Sequence, residues 1–344
     1  MKRVKRRAAN SAVRTKPSAN MTMSSHETIF EDNNFVYRLL NPMDNKREIV
    51  SFLAQIFGID FDLAEFEWYK LRHPYSISRV YYALERMTER PAGVICSQTF
   101  TYRIGFENRE VSLLVSGGTH PDFRRMGVFG KLANVIVDHG SCIGVQYSLT
   151  FPNPYARQSF PAFMKAGWQA PVEYRFLEKR HFKRAFSSAA RIERFDERFD
   201  DLAHEAAKSF DFFQIKDHRV LNWRYMERPN TRYDCFAVCD GQAKGLIVLK
   251  KWSASDMEKV HIVDFVALTH DAADQLVSVA EYYAQGSALL NVVLTQGSAL
   301  DRLFLDRGFS ACTQPFPVVM KARNSVGIPR FSAPWVSLGD SDVY

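Results

Sequence analysis

From Gly117 to Gly130 the chain reads Gly-Gly-Thr-His-Pro-Asp-Phe-Arg-Arg-Met-Gly-Val-Phe-Gly. A turn this dense in cations and glycine, placed at the start of a helix, binds phosphate. The first amides of a helix have no intrahelical acceptor and carry partial positive charge, so an anion there gains hydrogen bonds and a favourable dipole together. Gly127 and Gly130 keep side chains off that end. Arg124 and Arg125 add permanent charge, and the guanidinium fork suits phosphate oxygens. A plain helix start with two solvated arginines would be spelled the same way locally, so the flanks must decide. They contain neither the dinucleotide fingerprint nor a P-loop, since Lys131 is followed by Leu132 rather than Ser or Thr.

Two elements must position the turn. Ahead of it Val111, Leu113, Leu114 and Val115 form a short apolar run that reads as a buried strand. Behind it Val128, Leu132, Val135 and Ile136 recur at helical spacing, with Gly140 closing the helix. The turn therefore joins a strand to a helix.

This joint resembles the acyl-coenzyme A signature of the GNAT acetyltransferase superfamily, whose core motif is Arg/Gln-x-x-Gly-x-Gly/Ala. Arg124 and Gly127 match it, while Phe129 stands where Gly or Ala is usual. Thr119, His120, Pro121, Phe123, Arg124, Gly127, Val128 and Phe129 are similar to a variant reading Thr-His-Pro-x-Tyr-Arg-x-x-Gly-Ile-Phe. Downstream, a strand-like Val145 to Phe151 is followed by Pro152 and Asn153, and Phe163-Met164-Lys165-Ala166-Gly167-Trp168 resembles the closing Tyr-x-x-x-Gly-Phe of the superfamily. The resemblance spans most of residues 35 to 180. It implies that Gly117, Gly118 and Thr119 grip the pantetheine arm and the thioester carbonyl. It also implies that Arg124, Arg125, Met126, Gly127, Val128, Phe129 and Gly130 hold the diphosphate of acetyl-CoA or another acyl-CoA. No metal is implied. Preorganised backbone donors of this kind stabilise a developing oxyanion without reorganisation.

Many members of that superfamily use a tyrosine four residues before the closing glycine as the acid that protonates the leaving thiolate. Phe163 occupies that position and has no proton to give. Tyr155, two residues after Asn153, is the nearest substitute, with a packed tyrosine as the alternative reading; Asn153 itself, at the end of the neighbouring strand, is implied by the resemblance to join Gly117, Gly118 and Thr119 at the thioester. For a base, His120 and Glu110 stand near the motif strand, against the plainer readings of a hydrogen-bonded turn histidine and of Glu107 and Glu110 as solvent-facing strand ends. Arg224 reads as an anchor for an acceptor anion, or as a helix cap or the partner of Asp217.

The chain has 344 residues, 46% hydrophobic and 13% aromatic, enough for two domains with sizeable cores. Its net charge of +7 resides in a short head. Residues 1–25 hold seven of the 45 Lys and Arg and no acid, which leaves 38 bases against 38 acids in the body. A neutral body argues against nucleic acid as a partner, and the head reads as a disordered leader, with Met21 or Met23 as an alternative start. No run approaches the roughly 18 apolar residues of a membrane helix. Five scattered cysteines fit free thiols in a reducing cytoplasm better than a disulfide framework.

The second half echoes the first. Trp68 precedes Pro74 by the same six residues that separate Trp223 from Pro229. Gly93-Val94-Ile95 recurs as Gly245-Leu246-Ile247, and the Gly167 closing motif recurs at Gly308. Where the second copy should carry the phosphate turn it reads Thr269-His270-Asp271-Ala272-Ala273-Asp274, with acids in place of arginine and glycine, so no coenzyme is expected there. The expected fold is α/β (α+β): tandem GNAT-like domains, each a mixed, mostly antiparallel sheet flanked by helices. The expected layout is a leader over 1–25, a catalytic domain over 26–182, a degenerate domain over 190–322 and an irregular, surface-bound tail over 323–344.

The expected function is acyl-CoA-dependent N-acyltransfer, with acetyl-CoA as donor and a small-molecule amine or amino sugar as acceptor. A non-catalytic acyl-CoA sensor is one rival, motivated by Phe163. An aminoacyl transferase of the Fem type is another, opposed by the intact turn from Arg124 to Gly130, since that family generally lacks it.

Overall fold

The computed structural model describes residues 26–152, 159–182, 187–254, 257–312, 317–323 and 326–341. The basic head expected to form a leader lies outside them.

The front half opens with β1 (His26–Glu31) and β2 (Phe35–Leu40), then α1 (Lys46–Phe57) and α2 (Leu63–Leu71). Helix α1 buries Ile49, Phe52, Leu53 and Ile56, one apolar stripe at helical spacing, and stops at Gly58, whose φ of 66° only glycine adopts cheaply. Three long antiparallel strands follow, β3 (Arg79–Glu85), β4 (Pro91–Ile104) and β5 (Glu107–Thr119). After the glycine-rich turn come α3 (Val128–Cys142), β6 (Tyr147–Thr150), α4 (Phe160–Lys165), β7 (Gln169–Val172) and β8 (Arg175–Lys179). β6 is parallel to β5, as a crossover through α3 requires.

The back half repeats this plan. After β9 (Ala190–Ile192), α5 (Arg198–Ala207), β10 (Phe212–Gln214) and α6 (His218–Leu221), the chain builds β11 (Asp234–Asp240), β12 (Gln242–Ala254) and β13 (Met257–Ala267) as antiparallel neighbours. α7 (His270–Tyr283) then crosses to the parallel β14 (Leu289–Leu294), followed by α8 (Ala299–Asp306), β15 (Ser310–Ala311) and β16 (Val318–Ala322). Packing explains the repeated glycine. A Cβ on Gly93 would lie 2.8 Å from Val128 of α3, and one on Gly245 the same 2.8 Å from Leu276 of α7. In each half the crossover helix beds directly on the backbone of the middle strand.

The two sheets exchange strands. One runs β1-β2-β3-β4-β5-β6-β16-β7, with β10 on β4; the other runs β15-β8-β14-β13-β12-β11-β9. Residues 318–322, expected in the second domain, thus complete the front sheet, and residues 175–179, expected in the first, complete the back one. Local patterning marks a strand but says nothing about which edge receives it, and the expected boundaries followed chain order. The exchanged strands are bolted in the same way. Lys179 of β8 donates to the Arg307 carbonyl at 2.5 Å, at the end of α8, and Lys321 of β16 donates to the Ala166 carbonyl at 2.6 Å, at the end of α4. Each ammonium takes a carbonyl left over at a helix C-terminus, where positive charge is favoured.

Between the sheets the repeated tryptophans meet. The Trp68 and Trp223 rings stack with centroids 5.0 Å apart, and each indole donates to the other's carbonyl, at 2.7 Å and 3.0 Å. Trp223 begins a stretch in which Arg224 also packs over Trp68 and donates to the carbonyl of Ser341. That carbonyl belongs to the last stretch of chain, which is not surface-bound. Trp335, Val336, Leu338 and Asp340 are buried, and Asp340 meets Lys216 at 2.6 Å beside Asp264. Between the Pro334 bridge to Phe212 and the short 3-10 helix Leu338–Asp340 the chain is irregular, yet its side chains are those of a core segment.

Replacing either tryptophan by alanine is expected to destabilise the protein by about 3–5 kcal/mol in urea unfolding. Because the two share both hydrogen bonds and the stack, the double variant should fall short of the summed losses; full additivity would mean that the pair does not couple the halves.

Candidate functional site

The site begins where β5 loses its neighbour. Pairing of β5 with β6 ends at Leu113 opposite Leu149, and the Thr150 hydroxyl takes the Leu114 carbonyl at 3.0 Å. Among the described residues β5 continues to Thr119 with β4 alone beside it. Val115 faces Cys96 and Gly118 faces Val94, so Ser116 and Gly117 oppose the single residue Ile95. This is a bulge, and Ser116 takes a φ of 49° to make it. An amide-bearing edge with no strand on one side is what a ligand with a peptide-like arm can occupy. Gly117 and Gly118 are required by approach from both faces: a Cβ on Gly117 would lie 3.1 Å from the Phe129 ring of α3, and one on Gly118 would collide with Ile56 of α1.

The turn beyond is held from beneath. Phe123 is buried edge-on to Phe35, Asp122 pairs with Arg90 at 2.5 Å, and the Asp122 amide donates to His120 Nδ1 at 3.4 Å. Arg125 and Gly127 both have positive φ, 67° and 80°, which folds the chain sharply into α3. No side chain caps α3, because its N-cap is Gly127. Arg124 and Arg125 are exposed, and among the described residues neither has a carboxylate within ion-pair distance; Arg124 only touches the Thr119 carbonyl, at 3.4 Å. The equivalent start of α7 is sealed, with Thr269 accepting from the Ala272 amide at 3.1 Å. One repeat keeps an open, cationic helix end and the other closes it with its own hydroxyl.

The remaining motif residues divide by what their side chains touch. Val128 is buried on Gly93, and the half-buried Phe129 packs on Gly117 and, edge-on, on Phe163. Met126 is exposed and Gly127 opens on free space. Gly130 has α4 on its Cβ side, with the Ala162 carbonyl 3.7 Å away, so it faces α4 and not the open helix end.

Of the acid–base candidates, Asn153 and Tyr155 lie outside the described residues. Phe163 is buried in a T-shaped stack with Phe129 and Trp168 on the α3 side of the sheet. His120 caps the turn and stacks on Phe52, which makes it structural. Glu107 and Glu110 sit at the far end of β5, away from the open edge. Asp217 caps α6 and bonds Tyr75, so Arg224 serves the tryptophan pair and the tail instead. Sequence reasoning passed over Lys70, which is only 3% exposed and donates to Ser116 Oγ at 3.1 Å. Its one signal was a lysine directly after Trp68 and Tyr69 in a buried helix face. Among the described residues no three His, Cys, Asp or Glu converge as a metal site would need, and no helix is long and apolar enough to cross a membrane.

No protein-family model matches the sequence, and no curated protein matches it. Solved structures do match its shape. A GCN5-related N-acetyltransferase from Anabaena variabilis superposes with a TM-score of 0.68 at 15% identity, over 85% of this chain and 73% of that one. The chain has the GCN5-related N-acetyltransferase fold. A second such GNAT protein, from Kribbella flavida, gives 0.60 at 12% identity over 84% and 71%. The N-myristoyltransferase of Saccharomyces cerevisiae, solved with bound myristoyl-CoA, gives 0.59 at 10% identity over 91% of each chain. At these identities the GNAT likeness is one of fold.

His73, between α2 and β3, packs edge-on against Trp223 at 4.6 Å and Phe100 at 4.9 Å, and burial pushes its pKa down to about 4. The unfolded chain therefore binds this proton more readily than the folded one. The stability that His73 gives by being buried neutral is complete above its unfolded pKa of about 6.5 and drains away as pH falls towards 4, by up to about 3 kcal/mol. Urea unfolding of His73→Phe should show a shallower loss between pH 7 and pH 4.5 than the parent. Parallel curves would place the acid sensitivity elsewhere.

Proposed function

We propose that the protein is an acyl-CoA-dependent N-acyltransferase that seats the coenzyme diphosphate on the first amides of α3. The observation that carries this is the uncapped α3 end, flanked by two exposed arginines without ion-pair partners and continuous with the open edge of β5. A diphosphate at the helix would direct the pantetheine arm along residues 115–119, where free backbone donors face the place of a thioester carbonyl. Gly117, Gly118 and Thr119 would line the arm, and residues 124–130 the diphosphate.

Acetyl-CoA is the donor we favour. Ile56 and Phe57 close over Gly118 on the α1 face, which supports a short acyl group. The acceptor would be the amine of a small molecule or amino sugar. Among the described residues no disulfide joins the cysteines, which supports work in a reducing cytoplasm. A second reading, a coenzyme sensor without chemistry, draws on the buried Phe163.

Calorimetry with coenzyme A tests the seat. Arg124→Glu should lose about 1.5–3 kcal/mol of binding, roughly a tenfold to hundredfold rise in Kd, with the fold intact by circular dichroism. Unchanged affinity would place the coenzyme elsewhere. Thiol release from acetyl-CoA with a panel of amines separates enzyme from sensor: binding with no release across the panel would favour the sensor.

A further inference from the structure

Departure of coenzyme A from a tetrahedral intermediate leaves a thiolate that needs a proton, and Phe163 cannot give one. We propose that Lys70 is the acid that protonates the departing sulfur, an inference that rests on the acyltransferase reading. The ammonium of Lys70 comes from the last turn of α2, is almost wholly buried, lies 4.5 Å from the centre of the Tyr69 ring and donates to Ser116 Oγ at 3.1 Å. Ser116 is the residue whose left-handed backbone makes the bulge, beside the open edge of β5. A buried ammonium requires a strong reason for its place, because desolvation of an ion costs several kcal/mol.

The two faces of the sheet explain why the acid has moved. Phe129, Phe163 and Trp168 fill the α3 face, against Gly117. α1 and α2 cover the other face, where Ile56 meets Gly118 and Lys70 meets Ser116. A coenzyme whose diphosphate sits on α3 passes the open edge of β5 and delivers its thioester towards the face that Lys70 commands. Ser116 holds the ammonium in place and is a positioning residue.

The step balances. The neutral amine attacks the thioester carbon, forming the C–N bond while the C=O pair moves onto oxygen. Collapse reforms C=O and breaks C–S, the pair going to sulfur, which takes a proton from the Lys70 ammonium. The amine of Lys70 then recovers a proton from the acylated nitrogen, giving amide, free thiol and the starting ammonium.

The test uses the full chain with acetyl-CoA as donor and hydroxylamine as acceptor, a nucleophile uncharged at neutral pH, reading thiol release against the uncatalysed background; coenzyme A affinity is read by calorimetry. Lys70→Met should lower kcat about 100-fold or more, the usual worth of a general acid, while coenzyme A affinity stays within about twofold. Lys70→Arg should not restore kcat, since guanidinium keeps its proton. The parent should show an alkaline fall in kcat that Lys70→Met lacks. Lys70→Met with kcat within about threefold of the parent, or with the alkaline fall retained, overturns the role. Should Lys70→Met fail to fold, Lys70→Arg decides, and parent-like kcat there overturns it. A parent that binds coenzyme A yet releases no thiol overturns the acyltransferase reading itself, whereas turnover that ignores Lys70 overturns this inference alone.

Discussion

Neither sheet of this protein can be finished from its own stretch of sequence. The place beside β6 is filled by β16 and the place beside β14 by β8, and in both cases a lysine from the incoming strand closes the C-terminal end of the host's last helix. The ion pairs around β8 add to this: Arg175 grips Asp301 with two bonds at 2.8 Å, and the buried Lys179 meets the fully buried Glu281 at 2.8 Å. Such charges are tolerable only because each is paired and hydrogen-bonded, and removal of one partner strands the other in a dry interior. The exchange therefore binds the halves into one cooperative body, and the stacked tryptophans sit on the approximate two-fold relation it creates.

The candidate site depends on that frame. β5 must keep its bulged end beside β4 while β6 stops short, and β6 is held by β16 on its far side from Val319 to Ala322. The same plan in the back half closes the corresponding helix end, because Thr269 takes the amide hydrogen bond that Gly127 cannot. A repeated architecture thus has one open and one sealed helix end through a few residues at a single turn.

Much of this was readable in the chain. The glycine-rich turn between β5 and α3, with its strand and its helix, carries period and punctuation within about thirty residues, and Trp68/Trp223 and Gly93/Gly245 betrayed the repeat because both positions answer to the same packing demand in each half. Strand partnership was hidden: β8 and β16 look like ordinary final strands, and the choice of edge is made by tertiary fit. The tail misled because proline and glycine around Trp335 suggested a surface loop, whereas its burial follows from Asp340 meeting Lys216 far away in sequence. Lys70 was concealed for a related reason, since a lysine at the end of a helix usually faces water.

The exchange also orders events during synthesis. β6 ends at Thr150 and β16 begins only at Val318, so the front sheet is made early and waits beside a vacant slot while the back half is added at some 5–20 residues per second. Through that interval the edges of β6 and β7 are exposed to other nascent chains, the situation in which sheets pair wrongly. The front sheet is completed only after the back half has been made, so a chain interrupted before β16 should contain nearly all of both halves and yet no intact frame for the candidate site.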